Sequence, residues 1–109
     1  MKEIKVPAPV KVVLGKLQDG SDAKDTVAFT KFLVDMVDTY GETKTPKQLR
    51  QAMRLIDKIE KANGVLSLED ADFDLLKAAI EFPRQLNTKL ARQLGSFYDA
   101  LSEAGIGKD

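Results

Sequence analysis

A chain of 109 residues, 43% hydrophobic and 31% charged, fits one globular domain with its own core and excludes a disordered tail. Its 17 basic and 17 acidic side chains cancel, which excludes a surface basic throughout and leaves a local basic stripe as the means of meeting nucleic acid. With no cysteine and no histidine, it has no disulfide, thiolate nucleophile, cysteine-ligated zinc or iron–sulfur site, or Ser-His-Asp relay.

Ile4, Val6, Ala8, Val10, Val12 and Leu14 are apolar at every second position, the period of an extended strand with one buried face. Pro7 and Pro9 cannot donate to a ladder, so residues 1–16 are expected to form an edge strand or docked arm. A rival reading starts a helix at Pro9, with Val10, Val13, Leu14 and Leu17 on one side. Lys2, Lys5 and Lys11 interrupt the apolar residues, so no signal-peptide core is expected. No apolar run approaches the roughly 20 residues of a membrane span, and a cytoplasmic location is expected. Residues 17–24 read as a loop turning at Asp19-Gly20.

The first helix is predicted over Asp25–Tyr40, with Phe29, Phe32, Leu33, Met36, Val37 and Tyr40 on one face and Gly41 as its stop. Thr45 and Pro46 supply an N-cap and first turn for a second helix, running to about Ala62 before Asn63-Gly64. Val65–Leu68 reads as a short strand or a bridge to the N-terminal arm. Ser67 is the expected cap of a third helix that carries Phe73, Leu76 and Ile80 inward and ends near Phe82, before Pro83. A fourth helix carries Leu86, Leu90, Leu94, Phe97, Tyr98 and Leu101 and stops at Gly105. The expected fold is therefore mainly α: a compact four-helix bundle over residues 25–105 with a short N-terminal β arm or hairpin, in one domain spanning 1–109.

Two constellations invite a metal and neither suits one. If Gly64 took the invariant glycine's place in a calcium loop, Ile59 and Lys61 would fill the first and third ligand positions, and neither offers an oxygen. Glu69, Asp70, Asp72 and Asp74 cluster, but acidic residues in a first helical turn are stabilised by the helix dipole, and no nucleophile or third ligand stands near. No catalytic residue, metal or cofactor is expected, and the chain is read as a non-enzyme.

Charge is segregated along the sequence. Six basic and two acidic residues lie between Lys44 and Ala62, while the segments on either side are acidic. On a wheel of 3.6 residues per turn, Lys47, Arg50, Arg54, Lys58 and Lys61 share an arc of about 80°. Leu49, Ala52, Met53, Leu55, Ile56 and Ile59 take the other side and are expected to be buried. The plain reading of the stripe is a solvated face. The functional readings are a partner's acidic surface or nucleic-acid phosphate, and the second is disfavoured because the stripe lacks stacking aromatics and the following helix is acidic. The arm, through Val6, Val10 and Val12, is the other candidate surface: it pairs with Val65–Leu68, or completes a sheet with another chain, including by self-association.

The order of these segments resembles small proteins of tailed bacteriophages encoded beside virion and tail genes. The resemblance is carried by Ile4-Lys5-Val6-Pro7-Ala8-Pro9-Val10, Thr26–Leu33, Leu55–Ile59, Gly64–Phe73 and Leu90–Leu94 with Phe97. It implies a non-enzymatic protein–protein role in morphogenesis, as a tail-assembly chaperone or minor virion component, in the host cytoplasm or the virion. The alternatives are a phage-encoded inhibitor or regulator of a host protein or nucleoprotein machine, and a nucleic-acid-binding accessory protein. The group brings no assigned functional residues.

Overall fold

The computed structural model of the protein describes residues 1–40, 44–83 and 88–107. In chain order the elements are β1 (Lys2–Lys5), β2 (Val10–Lys16), β3 (Asp22–Val27), α1 (Phe29–Asp38), α2 (Pro46–Glu60), β4 (Val65–Leu68), α3 (Asp70–Glu81), α4 (Thr88–Gln93) and α5 (Gly95–Glu103). Among the described residues this is an α+β fold with two separate two-stranded antiparallel sheets, β1–β4 and β2–β3. It replaces the four-helix bundle expected from the sequence.

The alternating N-terminal run does form extended chain, but as two strands in two sheets. Pro7 and Pro9 lie between them, where no ladder bond is asked of their nitrogens. β1 pairs with β4 in the register Ile4↔Leu66, which puts Ile4, Leu66 and Leu68 into the core. Val6 continues the approach by donating its N–H to the Gly64 carbonyl at 2.9 Å. β2 instead turns back on β3, with Val10 opposite Val27 and a register shift between Val13 and Gly15. The turn is closed by Leu17 N–H to Ser21 O (2.7 Å) and by the Asp19 carboxylate, which accepts from the Ser21 N–H and hydroxyl. Gly20 sits at φ +88°, a conformation costly for residues with a Cβ.

β3 occupies residues assigned to a loop and to the start of the first helix. Its sequence, DAKDTV, lacks an apolar face, and four of its six residues are exposed, so periodicity carried no signal. α1 accordingly begins at Phe29. Its inward face is as expected, with Phe29, Phe32, Leu33 and Val37 buried. The Gly41 stop lies outside the described residues.

The second helix starts where Thr45-Pro46 places it. The Thr45 hydroxyl accepts from Gln48 N–H (3.2 Å) and the Gln48 side chain accepts from Thr45 N–H (2.9 Å), a reciprocal capping box. The chain then turns at Gly64, φ +80°, into β4. Ser67 is a strand residue here, and Glu69 takes the N-cap position of α3 without a side-chain cap bond, which corrects the expected Ser67 cap. Phe73 and Leu76 are buried and Ile80 packs against the core.

The expected fourth helix is two. Between α4 and α5, Leu94 leaves helical geometry (φ −99°, ψ 23°), and three-residue bonds run from Leu94 N–H to Ala91 O and from Phe97 N–H to Leu94 O. Gly95-Ser96 supplies little helix propensity to resist the break. The break lets α4 lie on β2 while α5 reaches β1. Leu86 lies outside the described residues. The two sheets and the helices share one core, in which Phe97 packs against Phe29 and Phe32 with ring centroids 5.2 and 5.4 Å away.

Candidate protein-docking face

α2 lies against α1, α3 and β4 through a narrow seam. Ala52, Leu55 and Ile59 are buried, one side chain per turn, and Ile56 is half-buried. Leu49 and Met53 are not: they are 47% and 66% exposed. The expected burial of the whole apolar arc is therefore corrected. Leu49 and Met53 lie roughly 110° around the helix from the seam, and a helix with neighbours on one side only covers an arc narrower than that.

All five basic residues of the predicted stripe are exposed. They differ in what holds them. Lys58 bonds to the carboxylate of Asp72, a buried acid on α3, and that bond is the main reason its ammonium is held above the usual lysine range. Lys61 bonds to Asp57 one turn back at 2.8 Å, which likewise raises its pKa. Lys47, Arg50 and Arg54 form no ion pair among the described residues. These three and Met53 line a shallow depression of about 450 Å³. The solvent side of α2 thus presents an apolar shoulder, Leu49 and Met53, beside three uncommitted cations.

The arm residues are placed otherwise. Val12 is buried at 1% exposure, and Val6 and Val10 pack half-buried against the core. Both arm strands find partners within the chain, β1 on β4 and β2 on β3. The edge of β2 away from β3 is occupied at its centre. Gln93 accepts from Val13 N–H at 2.7 Å and donates to Val13 O at 3.1 Å, standing in for the neighbouring strand. Sequence reasoning missed both Gln93 and the Leu49–Met53 shoulder. No local pattern links Gln93 to a strand 80 residues away, whereas the width of the apolar arc on α2, wider than one seam needs, was a usable signal.

The acidic residues at the start of α3 gather no metal cluster: among the described residues no three acidic side chains are placed to hold an ion. Gly64 serves the turn from α2 into β4, where Asn63 and Val65 form an isolated bridge. No helix is long and apolar enough to cross a membrane among the described residues. Compared with protein families, curated proteins and solved structures, the chain matches none at a significant level.

Proposed function

We propose that the protein is a docking module that performs no chemistry of its own, and that the outer face of α2 is its contact surface. The observation that carries this reading is Met53, two thirds exposed beside Lys47, Arg50 and Arg54 in one shallow depression. An exposed methionine gains little in water, but it adapts its shape to an apolar recess, and methionine and arginine are enriched at protein interfaces. The cations beside it steer an acidic partner and fix its register. A phosphate backbone would use the cations and leave Leu49 and Met53 without a role, so nucleic acid fits this surface less well.

The setting we assign is particle assembly in a tailed phage, as a tail-assembly chaperone or minor virion component. That assignment rests on the sequence resemblance alone. Regulation of a host machine would employ the same face.

Replacing Met53 by a photo-crosslinking benzoylphenylalanine, in cells where the chain is naturally made, tests the reading. A protein adduct from position 53, absent when the same group replaces exposed Asp74 on α3, is the expected result. Adducts with nucleic acid, equal labelling from both positions, or no adduct would overturn it.

A further inference from the structure

We infer that the occupant of the α2 face is a second copy of this chain, whose groove between the β2–β3 hairpin, α1 and α4–α5 receives Met53; this rests on the docking reading above. The groove measures about 260 Å³ and is largely apolar, walled by Val27, Met36, Leu90 and Tyr98. Its charged lining residues are Asp25 and Asp35, both exposed and neither in an ion pair among the described residues. The depression on α2 is the converse: one apolar side chain, Met53, beside Lys47, Arg50 and Arg54. Each surface supplies what the other lacks, a thioether for an apolar recess and cations for two carboxylates.

One molecule cannot satisfy both surfaces by itself. α1 separates them: Phe32, Asp35 and Met36 line the groove, while Val37 and Tyr40 face the junction with α2 and α3 on its other flank. The contact is therefore heterologous, the α2 face of one copy in the groove of the next, and it leaves one unused surface at each end of a pair. Such a contact propagates into a ring or a linear array. A formal net charge of zero removes the overall repulsion that would oppose stacking copies.

The test is sedimentation velocity on the full chain across protein concentration and salt. The wild type is expected to associate with rising concentration, and added salt to weaken the association. Arg50→Glu/Arg54→Glu disables the α2 face and Asp25→Lys/Asp35→Lys disables the groove. Each variant alone should associate at least about tenfold more weakly than the wild type. An equimolar mixture should recover association, because the intact α2 face of one variant meets the intact groove of the other and the two charge-reversed surfaces also oppose each other with opposite sign. Circular dichroism checks that the variants, all at exposed positions, remain folded. A matched control, Lys5→Glu/Lys11→Glu mixed with Asp70→Lys/Asp74→Lys, carries the same opposed charges elsewhere and should stay no more associated than its parts.

A wild type that remains monomeric, a variant mixture that fails to pair, or a control mixture that pairs equally would each overturn the inference. If the wild type is monomeric and position 53 still crosslinks to a different protein, the self-docking inference falls and the docking face stands. If position 53 yields no protein adduct, the docking reading itself falls.

Discussion

At the scale of single residues, α2 distinguishes side chains that hold the fold from side chains that wait on its surface. Leu55 is fully buried and Met53, two residues earlier, is two thirds exposed. Leu55→Ala should cost about 2–5 kcal/mol, since it removes buried methyl groups and leaves a void that the neighbours fill only in part. Met53→Ala should change stability by no more than about 0.5 kcal/mol, the range of surface substitutions. Urea denaturation of both variants measures this directly, and equal costs would mean that the helix is rotated from the orientation described. The cations divide in the same way. Lys58 is tied to Asp72 and belongs to the fold, while Arg50 and Arg54 are held by no partner among the described residues.

At the scale of elements, the informative contact is between a helix and a strand edge. Among the described residues the β2–β3 sheet has two strands, so each strand is an edge that another chain's strand could extend. Gln93, in the last turn of α4, closes the β2 edge at Val13 with one donated and one accepted bond. Gln93→Leu keeps the size of the side chain and removes both bonds. The Val13 amide should then exchange with solvent at least about tenfold faster in native-state hydrogen exchange, because its protection no longer includes a direct partner. Unchanged exchange at Val13 would show that the edge is protected by packing alone. The start of α2 was fully legible, because Thr45, Pro46 and Gln48 form a local signal whose geometry needs nothing from the rest of the chain. β3 was not legible: its polar sequence becomes a strand only because β2 folds back over it.

At the scale of the whole molecule, the N-terminal segment proves to be part of the structure's frame. Ile4 in β1 and Val12 in β2 are each about 1% exposed, and the two strands anchor opposite sheets of one core. Deleting residues 1–14 should therefore abolish cooperative unfolding and the near-UV aromatic signal, where a detachable arm would have left both intact. A truncated chain with a sharp thermal transition would contradict the packing described here. Charge is segregated at this scale too. The basic segment forms one outer helix, and acidic residues from β3 and α1 rim a groove on the far side of α1. That separation is what makes a surface complementary to another copy, not to itself.

The sequence by itself determined the excluded chemistries, the single core, the capped start and basic arc of α2, and the inward faces of α1 and α3. These follow from composition and from bonds or periodicities within a few residues. Tertiary structure alone decided the pairing of β1 with β4 and of β2 with β3, the split between α4 and α5, and the exposure of Leu49 and Met53. Each of those depends on which surface lies opposite, and a residue's own neighbours in sequence carry no record of what covers it in space.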